Sequence, residues 1–151
     1  MREVGLREGW LPKIGATSED AINLALVRPF VEWHLIVRRP KRERDFYPSF
    51  LEEMEEIFGQ RYVQDQLPVA SGSTLKIDFH IGHPQRGGVG VEIKMPANNS
   101  DIQRALGQLD QYQARYLDQL LVVVLPDMLN KAQLTLFTET LTAKGVTAVI
   151  K

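Results

Sequence analysis

The sequence predicts one α/β domain: a mixed central β-sheet flanked by helices, with a helical N-terminal extension. Three observations lead to this fold class. Residues 75–81 and 89–95 alternate apolar and polar side chains like two strands of a hairpin, and residues 120–125 form a continuous apolar run typical of a strand buried on both faces. Segments with helical periodicity surround them. A chain of 151 residues with 44% hydrophobic residues can bury a core of its own.

Residues 1–47 form the predicted extension. Ser18 is suited to begin a helix that runs through Leu24. Pro29 is expected to kink or break a longer helix, because proline lacks an amide hydrogen and its ring clashes with the preceding turn. We expect this extension to pack on the core, which occupies residues 48–151.

A dense basic run lies near the end of the extension. Its cationic residues are Arg38, Arg39, Lys41, Arg42 and Arg44. The net charge of the chain is −1, so contact with nucleic acid requires a local basic surface of this kind. The run therefore predicts contacts with phosphates, and the alternative is a solvated linker between extension and core.

The core begins with a predicted helix over residues 49–59 that Gly59 can end. Its apolar face is formed by Phe50, Leu51, Met54, Ile57 and Phe58. Glu53 flanks this face, and a strand is expected before residue 75. The helix should therefore cover one face of the sheet.

The predicted hairpin places charged residues on one side. Its apolar side is formed by Leu75, Ile77, Phe79 and Ile81 on the first strand and by Val89, Val91, Ile93 and Met95 on the second. The other side carries Asp78 on the first strand and Glu92 and Lys94 on the second. Pro and Gly residues between the strands mark a reversal, and a turn centred on Gln85 would place Asp78 opposite Glu92.

Two neighbouring carboxylates repel each other and bind protons more tightly unless a cation lies between them. Hard oxygen ligands suit Mg²⁺ or Mn²⁺, and Mg²⁺ often takes only one or two protein carboxylates. Such an ion would acidify a bound water, which Lys94 could orient or help to deprotonate. The alternative is an ordinary half-exposed strand, on which charged and apolar residues also alternate.

A helix and a buried strand follow the hairpin. Ser100 and Gln103 form a possible capping box, so the helix is expected to begin near Asp101. Its apolar face is formed by Ile102, Ala105, Leu106, Leu109, Tyr112 and Tyr116. Gln108 and Tyr112 are four residues apart and therefore neighbours on the helix surface. After the strand at 120–125, a helix over 128–143 and a last strand over 145–150 complete the expected core.

Asp78, the triplet Glu92-Ile93-Lys94 and the spacing Gln108-x-x-x-Tyr112 resemble, in this order, the motifs of the PD-(D/E)XK nuclease superfamily. The Gln-x-x-x-Tyr pattern looks most like the branch named after the RecB nuclease domain. Ile77 stands where many members have proline. The resemblance covers about residues 48–150 and implies a restriction-endonuclease-like fold.

The resemblance also implies a function and a site. It implies that Asp78 and Glu92 are metal ligands, that the Ile93 carbonyl is a further ligand, that Lys94 is the catalytic lysine, and that Gln108 and Tyr112 position DNA or support the site. Many members add an acid from the helix before the sheet, and Glu53 is the candidate here. Its alternative is a solvated surface residue. The expected activity is Mg²⁺- or Mn²⁺-dependent hydrolysis of DNA.

Two other functions stay open. The chain could be an inactive nuclease-fold protein that binds nucleic acid or supports an assembly, because fold does not determine function. RNA could be the substrate. Arg104 and Arg115 are further candidates for DNA contacts, His80 is interpreted as an ordinary surface histidine, and a homodimer would suit the two strands of duplex DNA.

Several chemistries are excluded by composition and motif. The chain has no cysteine, which excludes disulfides, thiolate metal sites and cysteine nucleophiles. Its three histidines lack zinc-binding spacing, and no phosphate loop or nucleophile elbow occurs. No apolar stretch approaches the length of a membrane span, and the charged start does not resemble a signal peptide. We therefore expect a cytoplasmic protein without a membrane partner.

Overall fold

A computed structural model describes residues 22–33, 42–85, 87–126 and 128–151. The elements of these ranges are α1 (Leu24–Trp33), α2 (Tyr47–Phe58), β1 (Val63–Pro68), β2 (Lys76–Ile81), β3 (Val89–Lys94), α3 (Asn99–Gln113), β4 (Leu120–Val124), α4 (Lys131–Ala143) and β5 (Thr147–Ile150). Short 3₁₀ turns at Glu43–Asp45 and Gln60–Tyr62 flank α2. The expected helix start at Ser18 and the basic residues Arg38, Arg39 and Lys41 lie outside the described residues.

The five strands form one mixed sheet in the order β1-β2-β3-β4-β5. The first three strands are antiparallel, and β3, β4 and β5 are parallel. Helix α3 connects β3 to β4, and α4 connects β4 to β5, as parallel neighbours require a crossover. The predicted α/β class with a mixed sheet and flanking helices is confirmed.

The sheet separates two hydrophobic clusters. In the first, Val27 and Phe30 of α1 and Met54 of α2 pack with the face of the sheet that carries Val91 and Val123. In the second, the residues of α3 and α4 pack on the other face, around Val122 and Val124. Strand β4 is therefore buried on both faces, as its continuous apolar run predicts.

Helix α1 differs from the sequence expectation at Pro29. The helix continues through this proline to Trp33 and does not break there. Val27, Phe30 and Val31 are almost completely buried, and this packing offsets the hydrogen bond that proline cannot donate.

Helix α3 begins earlier than expected and has a different cap. Asn98, not Ser100, caps the helix, and its side chain accepts from the Asp101 amide at 2.9 Å. The Asp101 carboxylate in turn accepts from the Ala97 amide at 3.0 Å. Asparagine is as good a cap as serine, and here it is supported by an acid at the third helical position.

The register of the hairpin agrees with the turn predicted around Gln85. Phe79 pairs with Val91 and Ile81 pairs with Val89, so the next positions along the strands are Asp78 and Glu92. The predicted apolar side of β2 is wrong in part. Phe79 and Ile81 pack in the first cluster, whereas Ile77, with Leu75 beside it, packs in the second cluster on the other face. The alternation breaks at Asp78, where regular pairing with β3 ends.

The described helices include none that is both long and apolar enough to cross a membrane.

Candidate functional site

The hairpin ladder opens at Asp78 and Glu92, and the two carboxylates take over its hydrogen bonds. The Asp78 amide donates to Glu92 Oε1 at 2.8 Å, and the Ile93 amide donates to Asp78 Oδ2 at 2.8 Å. Each acid therefore binds the main chain of the opposite strand. These reciprocal bonds fix both side chains next to each other without using either carboxylate completely.

Both acids are buried. Asp78 is 8% exposed and Glu92 is 2% exposed. Burial, followed by the charge of Asp78, raises the pKa of Glu92 above its usual range, and burial raises the pKa of Asp78. The folded chain therefore disfavours two negative charges at this position unless a positive charge joins them.

Lys94 supplies one positive charge. Its Nζ lies 3.3 Å from Glu92 Oε2 and donates to Gln108 Oε1 at 2.6 Å. The lysine side chain is 13% exposed, so this pair is shielded from water more than a surface ion pair. Gln108 on α3 thus holds the lysine that β3 places beside the acids.

Tyr112 lies one helical turn after Gln108 and faces the same end of the strands. Its hydroxyl donates to the Lys76 carbonyl at 3.1 Å. Burial, then the charges of Glu92 and Asp78, raise the pKa of this phenol. The structure therefore brings together Asp78, Glu92, Lys94, Gln108 and Tyr112. The Ile93 amide contacts Asp78, and the role of the Ile93 carbonyl as a metal ligand stays a prediction.

Sequence reasoning missed Glu43, the acid that the short turn before α2 brings to the site. Glu43 Oε1 accepts from the Met95 amide at 3.1 Å, directly after the end of β3. Its charge also contributes to the raised pKa of Asp78. Glu53, the acid predicted for this role, lies on α2, three residues after Phe50, and its side chain is half-buried. Glu43 was hidden in the sequence because it interrupts a run of arginines.

Two neutral side chains at Asp78 were also missed. Gln66 on β1 donates from Nε2 to Asp78 Oδ1 at 3.3 Å. The phenol of Tyr47, in the first turn of α2, faces Asp78, and burial together with this carboxylate raises the pKa of the phenol. Alternation along β1 could have suggested Gln66, but residues 63–68 carry too weak a strand pattern to fix a register.

Two grooves meet at Glu43. The larger, of about 710 Å³, is lined by Arg42, Glu43, Arg44, Tyr47, Gln66 and Asp78. The smaller, of about 280 Å³, is lined by Glu43, Lys94, Met95, Pro96, Asp101, Arg104, Ala105 and Gln108. The predicted nucleic-acid contact Arg42 therefore lines the groove that contains Asp78, and Arg104 lines the groove that contains Lys94 and Gln108.

Arg115 and His80 have other partners. The Arg115 guanidinium donates to the Pro84 carbonyl at 2.8 Å and lies 5.3 Å from the centre of the Tyr116 ring, and it is not among the residues lining the two grooves. The interpretation of His80 as a surface residue is wrong, because it is completely buried. Its Nδ1 lies 2.8 Å from the Tyr116 hydroxyl and its Nε2 lies 2.7 Å from the His83 carbonyl.

The residues present suit a hard divalent cation. In the part of the chain that the structure describes, no three His, Cys, Asp or Glu side chains form a group that could hold a metal ion. Asp78 and Glu92 are nevertheless a pair of adjacent buried acids, and Mg²⁺ commonly takes one or two carboxylates and completes its shell with water and substrate oxygens. A cation would also stabilise the charged forms of both carboxylates, whose pKa values are raised chiefly by burial.

No protein-family model, no curated protein and no solved structure matches this chain.

Proposed function

We propose that this chain is a Mg²⁺- or Mn²⁺-dependent nuclease of the PD-(D/E)XK type that hydrolyses phosphodiester bonds in DNA. The observation that carries the proposal is the pair of buried acids, Asp78 and Glu92, placed where the hairpin ladder opens and joined to Lys94. Adjacent buried carboxylates are costly for a fold, so they favour a functional explanation over a structural one.

The arrangement of elements supports the same assignment. From α2 to β4 the chain follows the order on which the resemblance depends, namely helix, strand, Asp strand, Glu-x-Lys strand, helix and strand. Gln108 and Tyr112 come from the helix between β3 and β4, and Gln108 contacts the lysine of the motif. The restriction-endonuclease-like fold is part of this proposal.

In the proposed reaction, Asp78 and Glu92 would hold the cation, and Glu43, whose charge acts on Asp78, would add negative charge beside it. When bound, the cation makes a water more acidic and offsets charge on the phosphate. Lys94 orients the attacking water, and Gln108 in turn holds Lys94 in place. The water oxygen bonds to phosphorus as the bond to the leaving ester oxygen breaks. One proton leaves the water and one reaches the leaving oxygen, which gives a phosphate monoester and a hydroxyl.

The grooves supply the substrate surface. Arg42 and Arg44 line the larger groove and Arg104 the smaller, so a phosphate in either groove would meet positive charge. Arg104 lies 3.4 Å from Asp101 in an exposed ion pair, which is weak enough to be exchanged for a phosphate. DNA is the proposed substrate, with RNA as the alternative that the same assay distinguishes.

The test is cleavage of single-stranded, duplex and branched DNA, and of matched RNA, with Mg²⁺ or Mn²⁺. Asp78→Ala and Lys94→Ala should each lower the rate by at least about 100-fold. Asp65→Ala is the matched control, because Asp65 is an exposed aspartate on β1 that lines neither groove, and it should retain the wild-type rate. Cleavage that survives both site substitutions contradicts the assignment.

The second candidate is an inactive module that binds nucleic acid through the same grooves. The contact of Lys94 with both Glu92 and Gln108 favours it, since such a cluster could also be purely structural. Calorimetric titration with Mn²⁺ separates the two. The enzyme should bind Mn²⁺ and lose that binding in Glu92→Ala, whereas DNA binding without Mn²⁺ binding or cleavage would support the module.

A further inference from the structure

Gln66 adopts a backbone conformation that its residue type disfavours. Its φ is +53°, in the left-handed region where a Cβ crowds the main chain. In the described residues the only other non-glycine residue with positive φ is Asp118, at +58°. Asp118 has a clear structural reason, because it lies in the turn between α3 and β4, whereas Gln66 lies inside a strand. Strain within a strand needs an explanation.

The location of Gln66 supplies one. Asp65 pairs with Phe79 and Leu67 pairs with Ile77, so Gln66 lies directly opposite Asp78. Its amide donates to Asp78 Oδ1, while Oδ2 is held by the Ile93 amide. The two oxygens of Asp78 therefore have different supports: the main chain of β3 fixes one, and a side chain from β1 holds the other.

Gln66 also lines the larger groove together with Asp78 and Tyr47. An exposed glutamine could contact water instead, yet the strained main chain presents it at this groove. Side chains that hydrogen-bond a ligating carboxylate orient it and tune its affinity for metal. Gln66 has the chemistry and the position for this role.

We propose that Gln66 is a positioning residue for Asp78, which it orients through Oδ1 for binding a hard divalent cation. The inference rests on the proposed function, because it requires Asp78 to be a metal ligand. It adds a residue from the edge strand β1 to a site otherwise built from β2, β3, α3, the start of α2 and the turn before it.

The experiment is calorimetric titration of the full chain with Mn²⁺. Gln66→Gly removes the amide but suits a positive φ, so the thermal midpoint of unfolding should stay equal or rise. Mn²⁺ affinity should fall by about 10-fold or more, the usual effect of losing such a support. Gln66→Asn tolerates the same backbone but carries its amide one methylene shorter, and it should weaken Mn²⁺ binding similarly.

Asp118→Gly is the matched control. It makes the same type of backbone change at the other strained residue, and at about 0.15 M salt the lost surface charge is screened. It should leave Mn²⁺ affinity unchanged. If Asp78→Ala abolishes binding but Gln66→Gly and Gln66→Asn bind Mn²⁺ like the wild type, the role of Gln66 is overturned and the proposed function stands. If the wild type does not bind Mn²⁺, both are overturned.

Discussion

The two ends of the β2–β3 hairpin solve the same physical problem in opposite ways. At the turn end, His80 is buried against Tyr116 of the segment after α3, and at the open end Asp78 and Glu92 are buried near Tyr112 of α3. The turn end uses neutral groups whose hydrogen bonds satisfy one another. The open end uses two acids and one lysine, and the repulsion between the acids persists.

The turn end is closed by its hydrogen bonds and its packing. The His83 carbonyl can only accept, so His80 Nε2 carries the proton and Nδ1 accepts from the Tyr116 hydroxyl. A Cβ on Gly90 would lie 2.7 Å from the Tyr116 ring, so the ring packs directly on the strand. Buried polar groups whose hydrogen bonds are satisfied stabilise a fold, whereas buried like charges that repel each other are typical of functional sites.

The largest expected difference between the ends is in activity. Glu92→Gln keeps an acceptor for the Asp78 amide but removes a charge that the folded state disfavours. We expect cleavage to fall by more than about 100-fold while the free energy of unfolding at pH 8 rises. Cleavage assays and urea unfolding of the same preparation measure both. A variant that is active, or inactive and less stable, would contradict the comparison.

The opposite result is expected at the turn end. Tyr116→Phe preserves the ring that packs on Gly90 and leaves His80 Nδ1 without its donor. The free energy of unfolding should fall by about 1–3 kcal/mol, the cost of an unsatisfied buried group, with the cleavage rate unchanged. Urea unfolding gives the first quantity. A loss of cleavage in a folded Tyr116→Phe protein would show that the ends are coupled.

The pH dependence of stability should also separate the ends. Burial lowers the pKa of His80 to about 4 from its usual 6.5, so the unfolded chain binds the proton more tightly. Stability from His80 is therefore complete above pH 6.5 and is lost as the pH falls toward 4, by up to about 1.4 kcal/mol per pH unit. Urea unfolding from pH 4 to 7 measures the slope, and His80→Gln should flatten it.

The acids contribute with the opposite sign. The pKa of Glu92 is raised in the folded state, so the folded chain holds this proton more tightly than the unfolded chain, whose value is near 4.5. The stability from this group is present below pH 4.5 and is lost as the pH rises above it. This loss develops between pH 4.5 and about 8, so Glu92→Gln should remove the slope of stability in that range, and an unchanged slope there would contradict the assigned burial and repulsion.

The smallest effect is expected from the helix that serves both ends. Gly107 is exposed on α3, and a Cβ at this position would meet nothing within 4 Å beyond the backbone of its own helix. Gly107→Ala should raise the free energy of unfolding by about 0.5–1 kcal/mol through lower backbone entropy in the unfolded chain. Cleavage should not change. Thermal unfolding checks the first value, and a decrease in stability would indicate a contact of Gly107 that the structure lacks.

The turn residues around Gln85 predicted the hairpin register, and periodicity was sufficient to predict the fold class and the helix faces. These features depend on the placement of apolar residues in the chain, and that placement is strong in α2, α3 and β4. It failed for the face of Ile77, because the replacement of ladder hydrogen bonds by the Asp78 and Glu92 side chains is a tertiary event. No local pattern encodes it.

The candidate site was predicted where it depends on strand and helix spacing. Asp78, Glu92, Lys94 and Gln108 are brought together by the hairpin and by α3. Glu43 and Gln66 could not be predicted, since they reach the site from a short turn and an edge strand whose positions are set by packing. The nuclease assignment itself stays a prediction.

Helix α1 determines how far the N-terminus can be truncated without exposing the core. Its Leu24 amide donates to Gln119 Oε1 at 2.7 Å, and its Val27 and Val31 side chains are completely buried against the sheet. A truncated protein that starts at residue 48 would expose a large apolar surface on α2 and β4, and such surfaces promote aggregation. Residues 24–33 are therefore part of the domain core, and N-terminal truncations should stop before residue 24.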